Sequence, residues 1–286
     1  MIEELIRIIV FGAVVGGIWA LVSSGFSLIF GVARILNFAH GALFILSAYT
    51  AVYLMNIGFN ELIAMIIGVI LSSAIGVLIY KLISPIKNHE IMVVIVTLAI
   101  ALLITQVLLI LFGEHGYSLP PIVHGVQRIS GVVITNIRIL SLVVALIVLI
   151  LLEYFINRTK IGKMITATSE NIESAMLVGI NIERIYVLTF LISSALAGIS
   201  GILYAQIFAV TPDVSLKALI YAFAIVILGG LGSLRGSIIA SFIIGYILVI
   251  TINFLGARWS EFVMLLTIIA ILIVKPTGLF GVTHEK

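Results

Sequence analysis

The sequence predicts an all-α protein, a polytopic transmembrane helical bundle. Of its 286 residues, 63% are hydrophobic and only 9% are charged, whereas an ordinary soluble domain has about 25% charged residues. The mean hydropathy is +1.37. A soluble domain of this length could not bury so much apolar surface in one core. We therefore exclude a soluble enzyme, a disordered protein and a nucleic-acid binder, and we expect membrane lipid around most of the chain.

Apolar segments long enough to cross a membrane recur along the whole chain. A helix needs about 20 apolar residues to span the hydrocarbon core. Nine segments are candidates: 5–30, 38–56, 62–80, 91–112, 139–156, 185–208, 218–230, 237–256 and 262–274. The segments 218–230 and 262–274 are short, which indicates tilted, partly buried or re-entrant helices. We expect about eight or nine membrane segments in a single domain, residues 1–286.

The Lys and Arg residues predict the orientation, because cytoplasmic connections carry more positive charge. With the connection 157–184 in the cytoplasm and alternation in both directions, ten of the 15 Lys and Arg lie inside: Arg34, Lys81, Lys87, Arg158, Lys160, Lys163, Arg184, Arg235, Lys275 and Lys286. The outside residues are Arg7, Arg128, Arg138, Lys217 and Arg258. This distribution predicts a multi-pass plasma-membrane protein with its N-terminus outside and its C-terminus in the cytoplasm.

The outer connection, residues 113–138, predicts a small hairpin on the extracytoplasmic face. Pro120 and Pro121 block a helix there. The stretch from Val126 onward partly alternates around Gly131 and is rich in Val and Ile, which is typical of two short strands. An irregular lid is the alternative.

The inner connection, residues 157–184, predicts a short amphipathic helix. Thr168 or Ser169 can cap its N-terminus, and Glu170 and Glu173 would then lie in the first turn, where negative charge suits the helix dipole. Residues spaced at i, i+3, i+4 and i+7 form its apolar face: Ile172, Ala175, Met176 and Gly179. A helix that lies on lipid headgroups is usually rich in Lys and Arg. Because this helix carries two acids and no base, we interpret it as a docking element, with headgroup binding as the alternative.

Motifs for catalysis, nucleotides and metals are missing from the sequence. Gly162-Lys163 lacks the upstream Gly of a phosphate-binding loop, and the Gly-rich stretch 229–233 lacks its Lys. The five His have no metal-ligand spacing. Glu61, Glu153 and Glu261 lie near the ends of spans, so no carboxylate marks an ion relay within the membrane. We expect a transport subunit that is not an enzyme, has no cofactor or metal, and depends on a motor in a partner subunit.

Small residues predict close helix packing, because they let helix backbones approach each other. The pairs at a spacing of four are Gly12 and Gly16, Ser194 and Gly198, and Ala197 and Gly201. We interpret them as contacts within the chain, with helix unwinding or subunit contact as the alternative. Gly16-Gly17 and Gly229-Gly230 are the candidate sites for a helix break.

Asn37 and His40 are polar residues at the entry to the second apolar segment. Burying such groups costs free energy unless they are hydrogen-bonded. They are candidates for lining the transport pathway. The alternative is that they cap neighbouring helix ends inside the chain.

Three stretches resemble the H-type permease subunit of branched-chain amino acid ABC importers. They are GFSLIFGVARILNFAHGALFILSAY (25–49), KIGKMITATSENIESAMLVGINIERIYVLTFLISSALAGISGILY (160–204) and LKALIYAFAIVILGGLGSLRGSIIASFIIGYI (216–247), followed by KPTGLFG at 275–281. They lie in the same order as in that family, and related sugar permeases share parts of the second and third.

The resemblance implies a permease that pairs with a second homologous permease. The pair would sit on two cytoplasmic ATPase subunits and receive leucine, isoleucine or valine from an extracytoplasmic substrate-binding protein. It also implies a coupling helix in the inner connection, where the family pattern EAAxxxG is Glu173-Ser174-Ala175-Met176-Leu177-Val178-Gly179 here. The downstream I-x-LP of other importers is absent. The coupling candidates are Ser169, Glu170, Asn171, Glu173, Ala175, Met176 and Gly179, and a bulky residue at 179 is predicted to uncouple transport.

Two other functions stay open from the residues alone. A stand-alone secondary carrier for a small apolar or amide solute would need an ion site and usually shows inverted repeats. Sodium could still be held by carbonyl and hydroxyl oxygens. An intramembrane enzyme would need paired catalytic groups, which the apolar segments lack.

Overall fold

A computed structural model describes residues 2–129 and 131–280. The helices are α1 Ile2–Ala33, α2 His40–Asn56, α3 Glu61–Ile83, α4 Glu90–Phe112, α5 Asn136–Arg158, α6 Lys160–Glu170, α7 Ile172–Leu177, α8 Ile182–Ala205, α9 Val214–Gly229, α10 Leu234–Phe254 and α11 Ser260–Val274. The strands are β1 Val126–Ile129 and β2 Val132–Thr135, and short 3-10 turns lie at Ser84–Ile86 and Ala257–Trp259.

The predicted all-helical membrane bundle is confirmed. Each of the nine apolar segments is helical, and seven helices in the described part of the chain are long and apolar enough to cross a membrane. Helix α9 is a shorter apolar helix of 16 residues, and α2 has 17. The short segment 262–274 is extended to 18 residues by the turn before α11.

Helix α1 lies at the centre of the bundle and packs against α5, α8, α9 and α10. Helices α2, α3 and α8 form a second packed group beside it. Helix α4 and helix α11 have mostly exposed apolar side chains, as expected for surfaces that face lipid. Between the inner helices, serine hydroxyls donate to backbone carbonyls, as Ser47 does to Gly198 at 2.8 Å and Ser200 does to Ile18 at 2.7 Å. Such bonds hold transmembrane helices together where no water can do so.

The small-residue pairs are packing contacts within the chain, as predicted. Gly16 lies against the backbone of Gly245 on α10, and a Cβ on Gly245 would be 2.6 Å from the Cα of Gly16. A Cβ on Gly201 would overlap the carbonyl oxygen of Phe44 on α2. A Cβ on Gly198 would meet Ser72 on α3 at 3.2 Å.

Because α1 continues from Ile2 to Ala33, the predicted break at Gly16-Gly17 is wrong: these glycines allow the close approach of neighbouring helices. At the other candidate, Gly229-Gly230, helix α9 ends with Gly230 at φ +102°, which is also the end of the apolar segment 218–230.

The adjacent residues Gly16 and Gly17 allow a matched test of this packing. A Cβ at Gly16 would lie 2.8 Å from the Phe242 ring and 2.9 Å from its Cα, whereas a Cβ at Gly17 would lie 3.3 Å from the Cβ of Ala145. We expect Gly16→Ala to destabilise the fold by about 2 kcal/mol through overpacking. Gly17→Ala is expected to leave the stability of the fold unchanged, because the cost of a small shift of Ala145 is offset by the higher helix propensity of alanine.

The measurement is the temperature at which each purified variant loses its monodisperse peak in detergent. A clear decrease for Gly16→Ala together with no decrease for Gly17→Ala supports the contact. Equal behaviour of the two variants contradicts it.

Helix α2 begins in the interior of the bundle and not at its surface. His40 Nε2 lies 3.0 Å from the carbonyl oxygen of Val22, eleven residues before the end of α1 at Ala33. At a rise of 1.5 Å per residue, this corresponds to about 16 Å along α1. The non-helical residues 34–39 therefore run back along the C-terminal end of α1, with Ile35, Asn37 and Ala39 buried. The re-entrant arrangement was predicted only for the short segments 218–230 and 262–274, so this interior start of α2 was not predicted from the sequence.

The predicted hairpin in the connection 113–138 is confirmed. Strands β1 and β2 are antiparallel, with Val126 opposite Thr135 and Ile129 opposite Val132. Gly131 has φ +87° in the turn, and Ser130 lies outside the described residues. The stretch before the hairpin packs over the end of α8, where the N–H of Leu119 donates to the carbonyl of Ala205 at 2.8 Å.

Contacts between helix ends define two sides of the bundle. On one side Glu153 of α5 pairs with Arg235 of α10, and Lys87 pairs with Glu183 of α8. On the other, Arg7 of α1 donates to Asn253 of α10. We name these the α6 side and the hairpin side, after the elements that lie there. The start of α1 is on the hairpin side, which is the side that the predicted alternation assigns to it.

Candidate functional site

Helix α6 is the part of the connection 157–184 that packs against the bundle. Thr159 caps its N-terminus by accepting a hydrogen bond from the N–H of Gly162 at 3.0 Å. Gly162 itself lies against the end of α5, where a Cβ would overlap the carbonyl oxygens of Phe155 and Ile156. Ile165 is buried in the core formed with α1, α3 and α8. Helix α6 is therefore held by the end of α5 at its start and by the core of the bundle at Ile165.

Helix α7 is a separate helix that begins after Asn171. The predicted cap at Thr168 or Ser169 is wrong, because α6 continues through both residues to Glu170. Their hydroxyls donate to carbonyls within α6, at Met164 and Thr166. The cap is Asn171, whose Oδ1 accepts from the N–H of Ser174 at 2.8 Å. Asn is among the best N-cap residues, and its bond satisfies one donor that the helix start leaves free.

The shift of the cap changes the position of the two acids. Glu173 lies in the first turn of α7, as predicted, but Glu170 is the last residue of α6. Thr168 is buried, and its hydroxyl donates to the carbonyl of Met164 within α6 instead of capping a new helix.

The end of α7 is closed by Gly179. The N–H of Ile180 donates to the carbonyl of Ala175, and the N–H of Gly179 donates to that of Met176. These two bonds form a Schellman motif, which requires a left-handed residue at its turn. Gly179 supplies it with φ +83°, and a Cβ there would meet nothing within 4 Å. With both ends closed, the six residues of α7 form a defined helix despite their small number.

Helix α7 presents an apolar tip away from the bundle. Ala175 is buried against the connection, whereas Met176, Leu177 and Val178 are 53%, 89% and 76% exposed. The coupling candidates Glu170, Asn171, Glu173 and Gly179 are also exposed, and Ser169 is half-buried. Three consecutive exposed apolar residues at the end of a rigid helix are an arrangement that a partner surface can bury.

Ser169 also lines a cavity of about 270 Å³ beside the C-terminal half of α6. The cavity lies between α6, the end of α1 and the start of α10, beside the ion pair of Glu153 and Arg235 at 2.6 Å. The connection therefore contacts the end of α1 and shares this cavity with the start of α10.

The pathway candidates Asn37 and His40 are both fully buried inside the chain. Asn37 Oδ1 accepts from the N–H of Ala39 at 3.1 Å at the start of α2, and His40 packs edge-on against Phe26. Asn37 Nδ2 and His40 Nδ1 have no hydrogen-bond partner among residues 2–129 and 131–280. The bond of Asn37 is local to the start of α2, whereas His40 joins α2 to α1 through the carbonyl of Val22, and a role of either residue in the pathway stays a prediction.

A family model described as "Branched-chain amino acid transport system / permease component" matches residues 8–272. The chain belongs to this family. It is therefore a permease of the ABC importer class and a multi-pass membrane protein.

The permease is similar to named subunits along almost its whole length. The high-affinity branched-chain amino acid transport system permease protein LivH of Salmonella typhimurium is 28% identical, over 94% of this chain and 93% of its own. BraD of Pseudomonas aeruginosa, with the same description, is 27% identical over 98% of this chain and 97% of its own. The solved structure of PsaBC from Streptococcus pneumoniae in complex with Fab has a similar fold, with a TM-score of 0.51 at 16% identity, covering 96% of this chain and 91% of that one.

Leu177 and Val178 are exposed, but they are not among the coupling candidates that the sequence predicted. Helical spacing placed Met176 with Ala175 on one apolar face, but the structure buries Ala175 and exposes Met176. The signal that could have found them is the run Met-Leu-Val directly before Gly179, because a helix that ends there cannot bury three successive side chains on one face.

Residues 275–280 form a strap that lies across the end of α9 on the α6 side. The N–H groups of Leu279 and Phe280 donate to the carbonyls of Leu228 and Gly229 at 2.7 and 3.0 Å. This strap contains most of the stretch KPTGLFG. Residues 281–286, including Lys286 of the orientation prediction, lie outside the described residues.

Proposed function

We propose that this permease is one subunit of an ABC importer for branched-chain amino acids. It pairs with a second homologous permease, and helix α7 docks on cytoplasmic ATPase subunits that supply the energy in trans. The observation that carries this proposal is the exposed apolar tip on α7, a helix closed at both ends and fixed to the bundle through α6.

The geometry suits the transmission of force. A rigid element that contacts several spans can move them together when its partner moves. Helix α6 packs on α1, α5 and α8. It also lines the cavity that contains Glu153 and Arg235, the ion pair that joins α5 to α10. A displacement of α7 by a closing ATPase would therefore reach the inner ends of four spans.

The proposed orientation puts the α6 side in the cytoplasm. Lys and Arg are concentrated there, in agreement with the usual bias of cytoplasmic connections. The N-terminus is then outside and the C-terminus inside, in the plasma membrane. The hairpin side would receive the cargo from an extracytoplasmic substrate-binding protein.

The cargo is proposed from the relatives and from chemistry. LivH and BraD are named for branched-chain amino acid transport. A pathway for leucine, isoleucine or valine needs apolar walls with a few polar groups for the two charges of the amino acid. We propose that the pathway runs along the surface shared with the second permease.

The test begins with purification of the tagged chain from its native host in mild detergent. We expect mass spectrometry to identify a second permease and ATP-binding subunits in stoichiometric amounts. Leucine uptake into vesicles of the complex, with the substrate-binding protein added outside, should need internal ATP and should persist when ionophores collapse the ion gradients.

The contrary result is recovery of a lone chain or a self-oligomer. If uptake then stops when the ion gradient collapses at constant ATP, the protein is a secondary carrier for a small apolar or amide solute. Both measurements use the same preparation, so the two functions are separated in one experiment.

A further inference from the structure

A second cavity, of about 700 Å³, lies on the hairpin side and has no part in the proposed coupling. The N-terminal turns of α1, strand β2, the first turn of α5 and the last turns of α10 surround it. The residues just after α8 complete its wall. Cavities of this size with mostly apolar walls and a few convergent polar groups are typical of small-molecule sites.

The cavity contains charges of both signs. Arg7 Nη1 donates to Oδ1 of Asn253 at 3.5 Å, and the guanidinium of Arg138 lies 4.3 Å from the centre of the Phe11 ring. The carboxylate of Glu3 lies against the hairpin turn at Gly131, where a Cβ would overlap its Oε1. The absence of a side chain at Gly131 therefore lets the acid lie against the hairpin, where it lines the same cavity as the two arginines.

The rest of the wall is apolar. Phe11 and Phe208 line it together with valine and isoleucine side chains from α1, β2 and α10. A molecule that fills the cavity would thus meet two guanidinium groups, one carboxylate, one amide and a large apolar surface.

We propose that this cavity is an entry site that binds a free α-amino acid with an apolar side chain. The two arginines bind its carboxylate with charge-assisted hydrogen bonds, and Glu3 binds its ammonium group. Its aliphatic side chain lies on the apolar wall. This inference rests on the proposed function, because it assigns the first contact of that cargo with the permease.

An anionic lipid headgroup is the competing ligand, since it would also bring a negative group to the arginines. The observation against it is Glu3, whose carboxylate repels a phosphodiester in the same cavity. An amino acid carries a positive group next to its carboxylate and satisfies both signs at once.

The chain contains no cysteine, so a single introduced thiol can report on the cavity. Val133 on β2 lines the cavity and is 49% exposed. Val126 on β1 is 58% exposed in the same hairpin and is absent from the cavity wall. Val133→Cys and Val126→Cys are therefore a reporter and its matched control. The full chain is purified with its accompanying subunits into phosphatidylcholine nanodiscs, and the rate of maleimide labelling is measured.

We expect saturating L-leucine to slow labelling at Val133→Cys about threefold or more and to leave Val126→Cys unchanged. Isocaproate, which lacks the ammonium group, and isoamylamine, which lacks the carboxylate, should protect much less. Adding Arg7→Gln should raise the leucine concentration needed for protection about tenfold, the usual effect of losing one charge-assisted bond. Arg258→Gln, outside the cavity wall, should not.

Three results would overturn the site. They are no leucine protection at Val133→Cys, equal protection by isocaproate in place of a preference for leucine, and protection by phosphatidylglycerol in the nanodisc that leucine does not change. ATP-driven leucine uptake by the unmodified complex in vesicles, with the substrate-binding protein added outside, is measured in parallel. If uptake is present but protection is absent, this inference fails and the proposed function stands. If uptake is absent, the proposed function fails.

Discussion

Replacing Leu177 and Val178 together by serine is expected to abolish ATP-driven uptake while the chain remains folded. Both side chains are largely exposed in the isolated chain, so their removal takes nothing from its core. At a docked interface they would be buried, and each contributes about 1.5–3 kcal/mol when it leaves water. The loss of both corresponds to at least about a hundredfold weaker association with the ATPase subunits.

The measurements are leucine uptake, the amount of chain in the membrane and the ATPase subunits that co-purify. Ser174→Ala is the matched control, because Ser174 is exposed on the same helix and the variant keeps the N–H that Asn171 accepts from. It should transport at the unmodified rate. Uptake within twofold of the unmodified chain in the double-serine variant would remove α7 as the docking element.

The second large effect is expected at Gly179, where backbone conformation matters more than side-chain size. A Cβ at this position would meet nothing within 4 Å, so bulk alone is tolerated in the isolated chain. The residue must, however, adopt φ +83°, which costs a non-glycine residue about 1–2 kcal/mol and a β-branched one more. Helix α7 has too few residues to form without its closed ends.

We therefore expect Gly179→Val to reduce uptake about tenfold or more, since 1.4 kcal/mol changes the population of the closed end tenfold. Gly179→Asn should keep most of the uptake, because Asn adopts the left-handed region more readily than other residues. Protein amount and monodispersity in detergent are the controls for both variants. If Asn is as damaging as Val, side-chain size at the docked interface and not backbone conformation decides the effect.

Much of the fold follows from local properties of the sequence. The nine apolar segments must be helices, because a backbone in lipid has to satisfy its own hydrogen bonds. Gly12 and Gly16 could be predicted as packing residues, since small residues at that spacing have few other uses in a membrane. The hairpin around Gly131 was visible in its alternation and its turn residue.

The start of α7 shows where local properties fail. Thr168, Ser169 and Asn171 are all good caps, and three alternatives within four residues cannot be ranked from propensity. In the structure Thr168 is buried within α6, and Asn171 is the residue that accepts the N–H of Ser174. Similarly, Gly16-Gly17 has the composition of a helix break but lies in continuous helix, because the contact with Gly245 requires the glycine there.

The sequence by itself determined that this protein is a helical membrane protein, where its apolar segments lie and that the connection 157–184 carries a helix. These features depend on composition and on residues close together in the chain. The tertiary structure alone decided that α2 begins against the middle of α1, that Leu177 and Val178 are exposed, and that Glu3, Arg7, Arg138 and Asn253 share one cavity. The physical reason is that burial and charge proximity depend on contacts between residues far apart in the chain, which no local pattern records.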